Sequence, residues 1–343
     1  MDDGVRVVAS STAGAGGVFV DPLWRVPVRL APVEAALLRT APLRRLQFVG
    51  HAGASAVTTL QSYSRLEHTL GVLALVAHFR PEDRLLRVAA LLHDIGHLPL
   101  SHTLEGIGGL DHHALGAELL HADPVRPVLE RHGIRPEAVA ALLDGQPRTP
   151  LTGHPGLLNL DHLDSYARSG RAAGQLDADP AALLERLRLG GAAHSAVSTD
   201  RETAAVLVAL VRAEARLHTS WDNVGPVSVA RRLARRLLDG EELTARRLAR
   251  LTDAELWSVL DACTATREES RLLRYQPHRL VVTAGAAGAA ADEDGGWGFA
   301  LRKIYRSAPL VGGRPLAEAA PELASELDDL GKLAVEFRVR WDG

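Results

Sequence analysis

Residues 91–106 read LLHDIGHLPLSHTLEG and bring histidines and carboxylates together within an otherwise apolar stretch. Residues 84–95 are apolar on nearly every side, which predicts a helix buried in the centre of the fold. His93 and Asp94 come at the end of this helix, where a carboxylate is costly to bury unless it is paired or binds a metal ion. Imidazole nitrogen and carboxylate oxygen together suit one divalent ion such as Mn, Mg, Fe, Co or Zn.

Further ligands have to come from other parts of the chain, because an adjacent pair cannot complete a coordination shell. His68 lies in RLEHTLGV at the start of a separate apolar helix, and Asp161 lies in LNLDHLD within another. Twelve of the fifteen histidines fall between His51 and His162, which marks the same part of the chain. Helical bundles build metal sites from side chains on facing helices. We therefore predict one divalent metal ion whose ligands are His68, His93, Asp94 and Asp161.

The composition is that of an ordinary globular chain. Of its 343 residues 46% are hydrophobic and 24% are charged, and the net charge of −3 does not indicate a dedicated nucleic-acid or membrane-surface protein. The single cysteine, Cys263, excludes an intrachain disulfide and a cysteine-based metal site, which fits a reducing cytoplasm. No apolar stretch is long enough to span a bilayer. We therefore expect a cytoplasmic protein with no membrane contact.

The pattern along the chain predicts a mainly α fold, a helical bundle with a small α+β C-terminal portion. Aromatic residues make up only 4%, so the core has to consist mainly of Leu, Val and Ala, which favours helices. Alternation of polar and apolar residues predicts strands near the C-terminus, at 279–283, 299–305 and 335–341. The predicted parts are a flexible N-terminus at 1–17, a metal-site core at 18–170, a helical extension at 171–278, and the α+β portion at 279–343 with a flexible loop at 284–298.

The pattern H…HD…D defines the HD superfamily, and the surrounding sequence resembles one branch of it. RLEHTLGV followed by LLHDIGHLPLSHTLEG is similar to RFEHSLGV and LLHDIGHGPFSH, which are typical of the deoxynucleoside triphosphate (dNTP) triphosphohydrolases, the branch of the dGTPases and the SAM-and-HD-domain enzyme. The sequence DPLWRVPVRLAPVE, which begins at Asp21, also resembles that branch's DPIHGYI start. The resemblance covers residues 18–170. It implies an HD-domain hydrolase that converts a dNTP and water into a deoxynucleoside and triphosphate, and it implies a homo-oligomer.

The resemblance also implies a group of catalytic residues that face the phosphates. His102 matches the candidate general acid that protonates the leaving oxygen, and His97 matches a histidine that binds phosphate oxygens. Glu105 stands where the branch often has aspartate, and His112 matches the histidine that pairs with this carboxylate. Such a pair orients the imidazole and fixes its tautomer. The candidate substrate-binding residues are Gln47, Arg65, Asp164, Tyr166 and Arg168.

The helix that carries Asp161 departs from the branch at two positions. The branch reads D-x-x-D-Y-x-x-R-D, whereas this chain has Ser165 for the tyrosine and Ser169 for the last aspartate. Those positions help to hold phosphate and sugar, so another HD-type nucleotide phosphatase or phosphodiesterase stays open as an alternative. Asp164 and Arg168 also have the i,i+4 spacing of a helix ion pair.

Other interpretations of the chain stay open as well. The arginine-rich stretch 230–251 would suit a regulator that binds nucleotides or nucleic acid with weak turnover, although a solvated amphipathic face explains it better. An HD-type di-iron oxygenase would need additional metal ligands. The four predicted ligands would also be consistent with a buried hydrogen-bonded network that holds no metal. We expect the remaining histidines of the region to be surface residues, namely His51, His78, His121, His132 and His154.

Overall fold

The computed structural model describes residues 17–285 and 295–342. Within these ranges sixteen α-helices and eight short strands confirm the predicted mainly α fold with a small α+β C-terminal portion. The helices are α1 (Pro32–Leu37), α2 (Ala41–Arg45), α3 (Arg65–Phe79), α4 (Arg84–Leu92), α5 (His112–Leu120), α6 (Val125–Arg131), α7 (Pro136–Leu143), α8 (Leu160–Ala172), α9 (Pro180–Glu185), α10 (Arg201–His218), α11 (Trp221–Asp239), α12 (Ala245–Leu248), α13 (Asp253–Ala262), α14 (Arg267–Tyr275), α15 (Leu316–Ala319) and α16 (Pro321–Asp328).

The strands form three small sheets. They are β1 (Val18–Val20), β2 (Pro27–Arg29), β3 (Arg188–Gly190), β4 (Ala196–Thr199), β5 (Leu280–Ala284), β6 (Trp297–Ala300), β7 (Leu310–Val311) and β8 (Glu336–Trp341). The hairpin β1–β2 is antiparallel, β4 pairs antiparallel with β3 and parallel with β7, and β8 lies between β5 and β6, antiparallel to both. In the last sheet Val339 pairs with both Val282 and Trp297.

The C-terminal sheet differs from the prediction at the edges of its strands. Ala284 closes β5 and Trp297 opens β6, because β8 pairs with both strands, so the predicted loop at 284–298 is shortened at each end. The middle of that loop, like the predicted flexible N-terminus except for Gly17, lies outside the described residues. The strand predicted at 299–305 ends at Ala300, because Ile304 and Tyr305 pack against another part of the protein instead of continuing the sheet.

The helices that carry the predicted site begin at polar N-caps. Ser64 caps α3, Asp83 caps α4, Asp111 caps α5 and Asn159 caps α8, each by accepting a backbone N–H with its side chain. Such a cap stabilises a helix by about 1 kcal/mol. The caps therefore define where each of these helices starts, and with it the position of the site residues in the first turns.

The helix predicted from the apolar run 84–95 is present but ends at Leu92. Its apolar residues are buried, as expected for a helix in the centre of the fold. The chain turns over residues 93–96, so His93 and Asp94 lie at the end of α4 rather than within it. The turn directs their side chains towards the neighbouring helices α3 and α8.

Two hydrophobic cores organise the chain. The first core gathers buried residues of α1 to α10 together with α15 and α16. The second core joins α11 to α14 and the sheet of β5, β6 and β8 to a group of buried residues between α4 and α5, which are Leu98, Leu100, Leu104, Ile107 and Leu110. Both cores thus use residues from the N-terminal and the C-terminal halves of the chain, and the domain boundaries at 170 and 278 remain a prediction. No helix among the described residues has the length and apolarity needed to cross a membrane.

Candidate metal centre

The four predicted ligands meet where α3, α4 and α8 come together. His68 Nε2 lies 3.1 Å from Asp161 Oδ1, 3.4 Å from His93 Nε2 and 3.8 Å from Asp94 Oδ2. His93 Nε2 lies 3.4 Å from Asp94 Oδ1 and 3.7 Å from Asp161 Oδ1. Two ligand atoms that are each about 2.1 Å from a common ion, at 90–110°, lie roughly 3.0–3.4 Å apart. Three of the five separations fall in this range, and those of 3.7 and 3.8 Å exceed it slightly, so the four residues fit a single divalent cation only if their side chains draw closer around it.

The two imidazoles present the ring nitrogen that a metal ion needs. His93 Nδ1 lies 2.8 Å from the carbonyl oxygen of Ala90, and His68 Nδ1 lies 2.8 Å from Asp164 Oδ2. Each Nδ1–H can donate to its neighbour, which leaves the lone pair of Nε2 directed at the cluster. The donor set of two nitrogens and two carboxylates accepts several divalent ions, so these residues fit a metal without selecting one.

The electrostatics of the cluster favour a positive charge, carried either by a proton or by a metal cation. Burial lowers the pKa of His68, but hydrogen bonds with Asp161 and Asp164 outweigh it and raise the pKa to about 9. Burial raises the pKa of Asp94, but neighbouring His93 and other positive groups hold it well below its usual range. The carboxylates are therefore anionic at neutral pH. Because a metal ion must displace the proton on His68, the two compete for the site.

Arg65 lies behind Asp94 rather than in open solvent. Its Nη1 is 2.9 Å from Asp94 Oδ2, and its Nε donates to Ser101 Oγ at 2.9 Å. The residue is only 3% exposed. The predicted phosphate-binding residue is thus in direct contact with a metal ligand, and it orients the carboxylate of Asp94 as well as adding positive charge to the site.

Asp164 supports His68 from the side opposite to the cluster. It is completely buried, and it accepts hydrogen bonds from His68 Nδ1 at 2.8 Å, Trp24 Nε1 at 2.6 Å and Arg168 Nε at 2.8 Å. The i,i+4 ion pair considered for Asp164 and Arg168 is present. Arg168 also pairs with Asp21, which is buried as well. These contacts point to a positioning role for Asp164 and Arg168, and the substrate contact predicted for them stays a prediction.

Gly71 allows this arrangement to form where α3 crosses α8. A Cβ at this position would overlap Asp164 Oδ1 and Arg168 Nη2. No other residue can therefore occupy position 71 without displacing the buried ion pair. The glycine in RLEHTLGV is a requirement of packing behind the metal ligand.

Three imidazoles stand beside the four ligands. The rings of His97 and His112 stack with their centroids 4.4 Å apart, and His102 lies edge-on to both at 4.7 and 5.0 Å. His112 Nδ1 is 2.7 Å from Glu105 Oε2, which is the pairing implied by the resemblance. His97 Nε2 lies 3.1 Å from Asp94 Oδ1, so this three-histidine cluster adjoins the metal ligands.

Members of the three-histidine cluster differ in exposure. His97 is buried, and neither of its ring nitrogens makes a hydrogen bond within the described parts of the chain, whereas His102 is exposed. Burial, together with the positive charge of Arg65, lowers the pKa of His97 to about 3. The His97 ring is therefore neutral at pH 7 and available to accept or to coordinate.

Residues from the C-terminal half of the chain stabilise the loop between α4 and α5, which carries His97 and His102. Leu100 and Ser101 adopt left-handed backbone conformations with φ of 54° and 57°, which are unfavourable for such residues. Asp253 stabilises the turn by accepting the N–H of Leu100 at 2.7 Å and that of Gly50 at 2.8 Å. These contacts join α13 to two loops that border the site.

Arg231 supports the loop from α11. Its Nη1 donates to the carbonyl oxygens of Thr103 and Glu105 at 2.7 and 2.8 Å. Gly96 lies against the start of α5, where a Cβ would overlap the carbonyl oxygen of His112. The tight turn after Asp94 and the position of His112 therefore depend on each other.

The other predicted residues lie at different depths. Gln47 is exposed in a 3-10 turn, and Tyr166 is buried with its ring 5.7 Å from that of His162. His51, expected at the surface, instead has its ring 4.8 Å from that of His68. Ser165 Oγ is 3.5 Å from His51 Nε2, so the serine that departs from the branch borders the site.

Known proteins resemble this chain in sequence. Residues 65–169 match the HD domain family. Metal-dependent phosphohydrolase cns2 of Cordyceps militaris is 28% identical over 250 residues, which are 67% of this chain and 68% of that protein. Deoxynucleoside triphosphate triphosphohydrolase SAMHD1 of Xenopus laevis is 28% identical over 117 residues, which are 30% of this chain and only 18% of that protein.

A solved structure shares the fold over almost the whole length. It is a hypothetical protein from Aquifex aeolicus, which superposes with a TM-score of 0.66 at 18% identity and covers 95% of this chain and 96% of that one. At this identity the likeness concerns the fold alone. All four candidate ligands and the three-histidine cluster fall inside the matched range 65–169. Residues 65–169 are therefore similar to the HD domain family, and a metal-dependent phosphohydrolase is among the relatives of this chain.

Proposed function

We propose that this protein is a metal-dependent phosphohydrolase that acts on nucleotides, with a dNTP as the first candidate substrate. The observation that carries the proposal is the contact between two groups of side chains. His68, His93 and Asp161 lie close enough to hold one divalent ion, and Asp94 lies beside them, 3.1 Å from the first of a cluster of three imidazoles. A purely structural metal site has no need of such neighbours, whereas hydrolysis of a phosphoester needs groups that bind phosphate and transfer protons.

The chemistry divides between the ion and the chain. A divalent ion held by His68, His93, Asp94 and Asp161 would lower the pKa of a bound water and polarise a phosphoryl oxygen. His97 Nδ1, which makes no hydrogen bond within the described residues, offers a contact to phosphate oxygens, whereas Nε2 of the same ring faces Asp94. Arg65 adds a fixed positive charge close to Asp94. Together these groups would stabilise the negative charge that develops on the phosphoryl group.

We assign proton transfer to the exposed side of the three-histidine cluster. His102 is the exposed member, so a leaving oxygen can reach it, and an anionic phosphate beside the ring favours its protonated form. As water adds to phosphorus and loses a proton to solvent, the bond between phosphorus and the leaving oxygen would break and His102 would give its proton to that oxygen. Glu105 fixes the orientation of the neighbouring His112.

The nucleotide part of the proposal rests on similarity. The sequences around His68 and His93 resemble the triphosphohydrolase branch, and a relative from Xenopus laevis bears that activity in its name. One contact favours a different substrate. Ser169, at the position of a branch aspartate, is buried and bonded to Gln61 and Glu214, so it has no access to a sugar or phosphate. Another nucleotide phosphatase therefore remains the second candidate.

Product analysis tests the proposal directly. The protein would be loaded with Mn, Mg, Co or Fe and incubated with dNTPs, nucleoside monophosphates and cyclic nucleotides, and the products separated by chromatography. Deoxynucleoside with triphosphate supports the first candidate, and release of orthophosphate or a monophosphate supports the second. Asp161→Asn should abolish turnover, whereas Asp177→Asn, at an exposed loop position, should not. Absence of hydrolysis with every metal would overturn the proposal.

A further inference from the structure

Residues 301–307, here named the crossing segment, connect the two hydrophobic cores beside the metal centre. The N–H of Leu301 makes a last bond towards the C-terminal sheet, to the carbonyl oxygen of Val335 at 2.8 Å. Ile304 and Tyr305 then pack against the first core, and Ser307 Oγ lies 2.9 Å from His162 Nδ1. The segment thus passes from one core to the other next to α8.

The crossing segment borders both halves of the centre. At one end the Tyr305 ring lies 5.2 Å from that of His162, the residue after the metal ligand Asp161. At the other end the Arg302 guanidinium lies beside Gly106, because a Cβ built there would be 3.1 Å from its Nη1. Gly106 follows Glu105, which orients His112. The segment therefore spans the distance between the metal ligands and the loop of the three-histidine cluster.

Two cations of this segment have no acidic partner among the residues that the structure describes. Arg302 and Lys303 are both exposed, and neither forms an ion pair with any residue in the described ranges. Lys303 Nζ lies 4.6 Å from the centre of the Tyr305 ring, which keeps the ammonium group close to α8. Arg231 is nearby as well. Burial first, and then its cationic neighbours including Arg302, lower the pKa of Arg231.

Cations without an acidic partner in the described ranges, next to a site proposed for phosphate chemistry, indicate an anion. Mutual repulsion makes such a group of positive charges unfavourable by itself, and an anionic ligand relieves it. The reacting phosphoryl group has its own partners in the metal ligands, Arg65 and His97. The charge of the crossing segment is therefore available for additional phosphate groups of the same molecule.

We propose that Arg302 and Lys303 bind the phosphate groups of the substrate that do not react, so that the site prefers ligands with a chain of phosphates over those with a single one. This inference rests on the proposed function for the identity of the reacting group. The planar guanidinium of Arg302 suits two oxygens of one phosphate, and the ammonium of Lys303 acts as a point charge for the next. Tyr305 holds Lys303 in position.

Binding of inorganic tripolyphosphate tests the inference without requiring turnover. Calorimetry in a fixed excess of Mg would compare tripolyphosphate with orthophosphate on the whole protein. Arg302→Ala and Lys303→Ala should each weaken tripolyphosphate binding by about tenfold or more, on the order expected for a charged hydrogen bond, and leave orthophosphate binding unchanged. Both side chains are exposed, so unfolding temperatures should match the wild type and show that the fold is intact.

Arg306→Ala is the matched control. Arg306 is exposed in the same segment, but its Nη1 lies beside Gly331, where a Cβ would be 3.1 Å away. Unchanged tripolyphosphate binding in Arg302→Ala and Lys303→Ala would overturn the inference, and so would an equal loss in Arg306→Ala, which would mean a general effect of charge. Tripolyphosphate binding that depends on Arg302 in a protein without hydrolytic activity would overturn the proposed function alone. Preference for a nucleic acid over tripolyphosphate, with the same variants affected, would contradict a small polyphosphate ligand.

Discussion

His68 Nδ1 lies 2.8 Å from a fully buried carboxylate oxygen of Asp164, on the side of the ring opposite to the other candidate ligands. The contact fixes the tautomer and the orientation of His68 before any ion arrives. Removal of such a supporting partner commonly lowers metal affinity or activity 10- to 100-fold.

Asp164→Asn should therefore reduce the affinity for Mn by about 10- to 100-fold. Titration calorimetry with Mn measures this directly. Trp24→Phe, which removes the hydrogen bond from Trp24 Nε1 to Asp164 together with part of a buried ring, should give a smaller loss of Mn affinity. Exposed Asp177→Asn serves as the control. Wild-type affinity in a folded Asp164→Asn protein would contradict the positioning role.

Gly71→Ala should destabilise the protein, because the new Cβ would overlap the ion pair of Asp164 and Arg168. A loss of about 1–3 kcal/mol or more in the free energy of unfolding is typical of overpacking. Gly116→Ala is a matched helix substitution, since its nearest neighbour would be 3.7 Å away, and it should stabilise by about 0.5–1 kcal/mol. Urea unfolding compares the two. Equal stabilities would mean that α3 and α8 can move apart.

Glu105→Gln should lower kcat by about tenfold or more and leave the metal content unchanged, because Glu105 touches His112 and none of the four candidate ligands. Steady-state kinetics and metal analysis of the purified protein give both values. His113→Gln, which changes the adjacent exposed ring, should be close to wild type. A loss of metal in Glu105→Gln would assign the carboxylate to the metal site instead.

A divalent ion should raise the temperature of unfolding. An ion present at 100 times its Kd stabilises the native state by about 2.7 kcal/mol, provided that the unfolded chain does not bind it. Thermal unfolding with and without Mn should show this shift in the wild type and in Asp177→Asn. Asp161→Asn should show little or none. A full shift in Asp161→Asn would place the ion elsewhere.

The pair of His218 and Glu214, 3.1 Å apart, predicts a pH-dependent contribution to stability. Burial lowers the pKa of His218, but the Glu214 carboxylate outweighs it and raises the pKa, so this contribution is present below 6.5 and lost as pH rises through the raised value. Burial raises the pKa of Glu214, but His218 outweighs it and lowers the pKa, so its contribution is present above 4.5 and lost as pH falls.

His218→Gln should therefore be destabilised most between pH 4.5 and 6.5, and the difference from the wild type should shrink towards pH 9. Urea unfolding at pH 5.5, 7 and 9 measures the difference. The control His278→Gln changes an exposed histidine, and its free energy of unfolding should match that of the wild type at each pH. A pH-independent difference would mean that His218 acts through packing alone.

Much of the metal centre could be predicted from local sequence. His93 and Asp94 stood out because they end a buried helix, and the apolar residues around His68 and Asp161 predicted two further helices. The support of these residues could not be predicted in this way. Trp24 and Asp164 are 140 residues apart, and Asp253 is 153 residues from Leu100. Periodicity within a helix carries no information about such contacts.

The C-terminal differences have a related cause. The alternation at 299–305 predicts a single strand, but Tyr305 finds its partners in the first core and the strand ends at Ala300. Asp164 and Arg168 have the same spacing whether they bind substrate or each other. The β1–β2 hairpin places Trp24 and Asp21 over Asp164 and Arg168, and this tertiary contact favours the pairing of Asp164 with Arg168.

The apolar residues of the loop between α4 and α5 belong to the second core, together with α11 to α14. The same loop carries the proposed proton donor. A replacement in α11 that shifts this packing would thus act on the reaction as well as on folding, and compensating replacements would be expected on both sides of the contact. Relatives of this chain should accordingly vary in the two regions in step, so that their C-terminal halves cannot be exchanged freely even when every metal ligand is retained.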